Sequence, residues 1–169
     1  MVQKDGKAGM NGVSVIITDA ETKDLKEILD LQYLAYQSEA KLLNNWSIPP
    51  LKQTLSEVLE EYHTGKILKA VKENDRIIGS VRGYCENGTL HIGKLMVHPE
   101  HQGQGIGTQL LGELERRYPG YRYELFTSSG SEKNIALYQR LGYRIFDRRQ
   151  ITKELMFVYL EKDPGGRIK

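Results

Sequence analysis

Along this chain the spacing of apolar residues alternates between short runs and three-and-four-residue steps, and each change marks an element. Val13, Val15, Ile16 and Ile17 crowd β-branched side chains into Val13–Thr18 ahead of Asp19, which predicts a strand. Leu25, Ile28, Leu29, Gln32, Tyr33 and Tyr36 then recur at helical steps, with Thr22 or Asp24 placed to cap the start. After Ile48-Pro49-Pro50 a second helix is expected over Leu51–Tyr62, with Leu55, Val58 and Leu59 as its buried stripe. Apolar runs return at Ile67–Lys72, Ile77–Cys85 and Thr89–Val97, divided by Asn74-Asp75 and Asn87-Gly88. They predict an antiparallel meander, best marked at Asn-Gly, which suits the positive φ of a tight hairpin. Ile106, Leu110, Leu111, Leu114 and Tyr118 restore the helical period over Gln104–Tyr118, and Pro119-Gly120 ends it. A strand at Tyr121–Phe126, a helix at Glu132–Leu141 between a Ser131 cap and Gly142, and strands at Tyr143–Arg149 and Leu155–Leu160 complete an α/β (α+β) pattern.

With 169 residues and 39% hydrophobic content the chain can bury one core, so a single domain is expected over 13–161. The polar, glycine-bearing segments 1–12 and 162–169 are expected to be flexible tails. Lys plus Arg total 24 against 22 Asp plus Glu, and a net charge of +2 gives no basic excess to favour nucleic acid or an anionic membrane. Cys85 is the lone cysteine, so no intramolecular disulfide can form. No apolar run approaches the roughly 20 residues of a membrane span, and a cytoplasmic location is expected. The four histidines, His63, His91, His98 and His101, show no ligand-pair spacing with each other or with Cys85, so no metal is expected.

Candidate chemistry concentrates in Leu95-Met96-Val97-His98-Pro99-Glu100-His101-Gln102-Gly103-Gln104-Gly105-Ile106-Gly107-Thr108. A strand runs into a loop with three alternate glycines, and the loop runs straight into a helix. Glycine lets an anion approach the main chain, and the free N–H groups of the first helical turn offer partial positive charge. A pyrophosphate fits such a cradle. The stretch is not a Walker A loop, which ends Gly-Lys-Ser/Thr, nor a G-x-G-x-x-G dinucleotide fingerprint.

Gln102-Gly103-Gln104-Gly105-Ile106-Gly107 matches the Q/R-x-x-G-x-G/A signature of the GCN5-related N-acetyltransferases, the GNAT family. Asn134-Ile135-Ala136-Leu137-Tyr138-Gln139-Arg140-Leu141-Gly142-Tyr143 resembles that family's second motif, in the family's order. The resemblance spans Val13 to Leu160 and is strongest from Leu90 to Tyr143. It implies a mixed, mostly antiparallel central sheet of about seven strands with helices on both faces. It further implies acetyl-coenzyme A as cosubstrate, no metal, and direct attack by a primary amine, small-molecule or peptide, in a ternary complex. The alternative is a non-catalytic acetyl-coenzyme A sensor or interaction module.

In the arrangement implied by the resemblance, Leu95, Met96 and Val97 bind the pantetheine arm through their main chain. Gln102, Gly103, Gln104, Gly105, Ile106, Gly107 and Thr108 hold the pyrophosphate, and the strand splays from its neighbour to leave a V-shaped gap. Asn134 matches the position that hydrogen-bonds the cofactor, and Tyr138 the tyrosine that protonates the leaving thiolate. Four residues apart, they share a helix face. Ile135, Tyr138 and Leu141 also make an apolar helical set, which keeps a core role for Tyr138 open. His91 falls where some members carry a general base; a water, Glu86 and Glu124 are alternatives. The Val97 N–H would steady the oxyanion. Arg116-Arg117 and Arg148-Arg149 are open candidates for the cofactor's 3′-phosphate. Tyr33, Tyr36, Glu39 and Trp46 lie where the family builds acceptor pockets, and aromatic rings with a carboxylate suit a cationic amine. Relatives commonly dimerise, so a homodimer stays an open expectation.

Overall fold

The computed structural model describes residues 14–164. Val13, the expected tail 1–12 and the last five residues of the expected tail 162–169 lie outside them. The described chain runs β1 (Ile16–Asp19), a single 3-10 turn, α1 (Leu25–Ala35), α2 (Gln37–Leu43), α3 (Pro49–Lys52), α4 (Leu55–Thr64), β2 (Lys66–Val71), β3 (Ile77–Glu86) and β4 (Thr89–Val97). A second 3-10 turn leads to α5 (Ile106–Arg117), β5 (Arg122–Ser128), α6 (Glu132–Arg140), β6 (Arg144–Gln150) and β7 (Met156–Lys162). The strands form one seven-stranded sheet in the order β1-β2-β3-β4-β5-β7-β6. Every neighbouring pair is antiparallel except β4 with β5, whose parallel pairing requires the crossover that α5 supplies.

Helices cover both faces. On one, Leu110, Leu111 and Leu114 of α5 pack with Leu68, Ile78, Leu90 and Leu125, and Tyr138 of α6 joins the same cluster. On the other, Leu25, Ile28 and Leu29 of α1 and Val58 of α4 pack on Ile67, Ile77 and Met96. Clothed on both sides, β3 is buried continuously from Ile77 to Gly83 instead of alternating. Each α5 leucine removed from water contributes about 2 kcal/mol, and that stripe anchors the glycine loop at the helix start.

Several boundaries differ from the pattern. Four helices, not two, precede β2. The helix expected over Leu51–Tyr62 breaks at Gln53, which is extended and whose polar atoms serve Gln32, Tyr33, Glu61 and Arg82. The chain restarts at Thr54, whose hydroxyl accepts from the Glu57 N–H while Glu57 accepts from the Thr54 N–H. In the restarted helix only Val58 is buried; Leu55 and Leu59 are 43% and 38% exposed. Asp24 stands before α1 without capping it, because its carboxylate takes the Glu21 N–H and Lys69 Nζ at 2.8 and 2.7 Å. Ser131 precedes α6 with no side-chain capping bond. Lys162, assigned above to a tail, ends β7, and its Nζ reaches Glu115 Oε1 at 2.9 Å.

Candidate active site

β4 is two half-strands joined by a bulge. Arg82 of β3 pairs with Gly93 and Ser80 with Met96, so β4 carries one residue more than β3 between those pairs. Lys94 absorbs the excess at φ 53°, a left-handed conformation unusual for lysine. Before the bulge, Thr89, Leu90 and His91 pair with Arg122, Tyr123 and Glu124 of β5. Beyond that point β5 pairs only with β7, and the two parallel strands part.

The parting leaves backbone groups facing a gap. His98 N–H donates to Ile78 O at 2.8 Å, so the alternation of an antiparallel ladder directs Met96 toward Ser80 and turns Leu95 and Val97 away from β3. Leu95 and Val97 therefore present main-chain N–H groups to the gap, and the Val97 carbonyl accepts from Gln102 Nε2 at 3.3 Å. Met96 is a correction. Its backbone belongs to the β3 ladder and its side chain is buried against α1, so it does not line the gap.

At the open end the two loop glycines leave space over the main chain. Gly103 and Gly105 take φ of 78° and 83°, and a Cβ built at either meets nothing within 4 Å. Their N–H groups donate no hydrogen bond among the described residues. The first-turn N–H groups of α5 at Ile106, Gly107 and Thr108 have no carbonyl a turn earlier in the helix to bond. Open space over free amides at a helix start is what a diphosphate needs, so these residues fit the implied cosubstrate.

Tyr138 lies on α6 and packs into the cluster beneath α5. It is 7% exposed, its hydroxyl has no hydrogen-bond partner among the described residues, and burial with the nearby Glu39 carboxylate pushes its phenol up to about 12. It is a core residue whose phenol stays protonated at neutral pH. Asn134, one turn earlier, reaches Thr127 Oγ1 of β5 at 3.4 Å. From the opposite face come Tyr36, at the break between α1 and α2, and Glu39 in the first turn of α2. Desolvation first, then Tyr138 and Glu39, raise the Tyr36 phenol, with Arg82 opposing. Burial also raises the Glu39 carboxyl, which has no ion pair or hydrogen bond among the described residues.

A family model described as "Acetyltransferase (GNAT) family" matches residues 24–143, more than half of the chain. The chain belongs to the GNAT acetyltransferase family. Its fold is shared with the crystal structure of the ribosomal-protein-S18-alanine N-acetyltransferase from Escherichia coli, at TM-score 0.75 and 16% identity over 92% of this chain and 97% of that one. It is shared also with a GNAT superfamily phosphinothricin acetyltransferase from Sinorhizobium meliloti in complex with AcCoA, at TM-score 0.71 and 19% identity over 89% of each chain. Among curated relatives, UPF0157 protein YqkA of Bacillus subtilis is 24% identical over 85% of this chain, which spans 41% of that protein's length.

The remaining candidates fall into three groups. His91 sits where β4 and β5 are still paired, its ring stacked on Tyr84 with centroids 4.9 Å apart and its Nδ1 3.9 Å from Glu124 Oε2. Glu86 ends β3 at the hairpin, and Glu124 is held by Arg122 at 2.8 Å. Arg116 and Arg117 occupy the wrong end of α5 for the 3′-phosphate, about 15 Å of helix from Gly105, and both pair with Glu113. Arg149 pairs with Asp147 and lies over the Tyr159 ring, and Arg148 is an exposed residue of β6. Of the suggested acceptor residues, Tyr33 donates to the Gln53 carbonyl and Trp46 is 57% exposed, whereas Tyr36 and Glu39 face Tyr138.

The pattern missed two features. Arg82, fully enclosed on β3, donates to Gln53, to Glu61 at 2.7 Å and to Gln32 at 2.6 Å, and only its Nε lacks a partner among the described residues. An open cavity of about 630 Å³ lies beside this cluster, between Pro49, Gln53, Glu57, Glu61 and the bulge residue Lys94. Nothing in an apolar strand run announces a buried arginine, and lysine carries no turn signal. Among the described residues no group of three or more His, Cys, Asp or Glu is placed to hold a metal, and no helix is long and apolar enough to cross a membrane.

Proposed function

We propose that this GNAT acetyltransferase takes its acetyl group from acetyl-coenzyme A and passes it to a primary amine bound in the same gap. The observation that carries the reading is the fork in the sheet: β4 leaves β5 after His91, offers the Leu95 and Val97 amides to the space between them, and ends in the glycine loop. Unpaired strand amides are costly unless a ligand completes the ladder, and a pantetheine arm carries the amide groups to do it. The loop amides from Gly103 to Thr108 would hold the diphosphate, and Asn134 would steady the arm from α6. The S. meliloti neighbour, solved with AcCoA, supports the choice of donor.

Acetyl-coenzyme A supplies an activated thioester, so the chain's own work is to orient the reactants and move protons. Amine attack forms the C–N bond and places negative charge on the carbonyl oxygen, which a gap-facing amide such as Val97 N–H can accept. As the C–S bond breaks, the Tyr138 phenol donates its proton to sulfur; with its acidity weakened to about 12 it is fully protonated beforehand. Cys85 is exposed on β3 and has no part in the transfer.

The test is to incubate the protein with acetyl-coenzyme A and a panel of primary amines and to follow released thiol, with calorimetry for cofactor binding. Tyr138→Phe should lower kcat about 100-fold with little change in cofactor Kd. Gly105→Val should raise that Kd, because its Cβ projects into the space over the amides. Cofactor binding without turnover of any amine would replace this reading with that of a binding module.

A further inference from the structure

We infer that Arg76 and Lys72, on the hairpin between β2 and β3, bind the 3′-phosphate of coenzyme A together with His98, and so make the protein prefer a donor that carries that phosphate. The inference rests on the acetyl-coenzyme A reading and adds to it a cation site outside both motifs. The 3′-phosphate and the diphosphate hang from one ribose, so the site for the first must lie beside the glycine loop. Arg148 and Arg149 are on β6, three strands from β4 and so about 14 Å across the sheet. Arg76 instead leads into β3, which pairs with β4 up to the loop: Gly79 stands opposite Val97, and the His98 N–H donates to Ile78 O at 2.8 Å. From His98 a single 3-10 turn, Pro99–His101, leads to Gln102 and Gly103.

The hairpin sets its two cations side by side. Asp75 takes φ 65°, its N–H donates to Lys72 O at 2.8 Å, and the Lys72 N–H donates to Arg76 O at 3.2 Å. Lys72 and Arg76 are thus opposite one another across a tight turn, and cross-strand neighbours project to one face. Among the described residues neither has an ion pair, although Glu73, Asp75 and Glu100 are close in sequence. Both cations remain available to an anion.

The second observation is a mismatch at His98. Its Nδ1 accepts the Glu100 N–H at 3.1 Å, so the hydrogen of the neutral ring is on Nε2. Nε2 stands 2.9 Å from Arg76 Nη2, and a guanidinium nitrogen can only donate. Two N–H groups therefore meet with no acceptor between them. A phosphate oxygen placed there would accept from both, and its bond to arginine is charge-assisted. His101 lies edge-on to His98, with ring centroids 5.7 Å apart. Burial first, then the charges of Lys72, His98 and Arg76, hold the His101 imidazole below its ordinary value. The hairpin and the turn after β4 thus make one electropositive cluster at the mouth of the glycine loop, which is what a second phosphate needs.

The experiment is calorimetry of coenzyme A and of 3′-dephospho-coenzyme A with wild type, Arg76→Gln, Lys72→Gln and, as a control for charge alone, Lys153→Gln in the loop before β7. Wild type should bind coenzyme A about 10- to 100-fold more tightly than the dephospho form, the range of a charge-assisted contact. Arg76→Gln should cut that preference to under about threefold, Lys72→Gln should cut it part-way, and Lys153→Gln should leave it intact. The Kd for the dephospho form should stay within about twofold of wild type in every variant, which also shows the loop to be intact. Equal binding of both compounds by wild type, a preference kept by Arg76→Gln, or an equal loss of both compounds in that variant overturns the inference and leaves the acetyl-coenzyme A reading in place. Binding of neither compound to wild type overturns both.

Discussion

The two faces of the sheet are built on opposite terms. Under α5 the contacts are apolar and closed: Ile106, Leu110, Leu111 and Leu114 are at most 1% exposed. On the other face Arg82 of β3 meets Gln32 of α1 and Gln53 of the α3–α4 break, and Tyr36 and Glu39 stand at the start of α2. The dry face holds the fold and fixes the start of α5, where free amides are needed. The polar face costs stability and keeps charged groups beside the place where the strands part. The fork draws on both, since β4, which parts from β5, is packed by α5 on the first face and by α1 on the second.

The comparison is sharpest at Leu111. Leu111→Ala empties a site 0% exposed and should cost about 2–5 kcal/mol, read as a shift in denaturant midpoint at constant slope. Arg82→Met should cost less, about 1–3 kcal/mol, because it strands the fully buried Gln32 while the Glu61 side chain remains 42% exposed and can turn to water. If the triple change Arg82→Met, Glu61→Met, Gln32→Leu is as stable as wild type, the polar cluster is retained for something other than stability. A loss larger than that of Leu111→Ala would reverse the ranking of the two faces.

A smaller effect belongs to Asp24, whose carboxyl meets Lys69 Nζ at 2.7 Å with both side chains mostly buried. Desolvation pushes the carboxyl up, but the Lys69 and Glu21 hydrogen bonds outweigh it and the net shift is downward. A depressed pKa means a contribution fully present above the unfolded value of about 3.9 and lost as pH falls below it. Asp24→Asn should therefore lower the thermal midpoint at pH 7, by the equivalent of about 1 kcal/mol, and converge with wild type near pH 2.

How much of this was legible in the sequence follows from where each signal lives. The glycine loop and the Asn-Gly hairpin were legible because their chemistry is in the backbone, and a positive φ shows itself as residue type. The resemblance implied a bulge where the strands splay, but Lys94 adopts the same conformation with no such mark, so its position was invisible, and with it the change of parity that removes Met96 from the gap. Gln53 looked like one more helical residue because its reason for leaving the helix, Arg82, lies 29 positions away. Tyr33, Tyr36, Glu39 and Trp46 stood together as acceptor candidates, and only the packed structure sets Tyr33, bonded to the Gln53 carbonyl, and the exposed Trp46 apart.

The position of β7 bears on how such a protein is made. Synthesised after β6, it inserts between β6 and β5, and past Glu124 it is the only strand bonded to β5. Until it emerges from the ribosome, one wall of the fork has an open edge on each side, a template for joining other chains. The fork is thus closed by the last of the described strands, and a chain ending before β7 would be an aggregation-prone fragment rather than a slightly weakened fold.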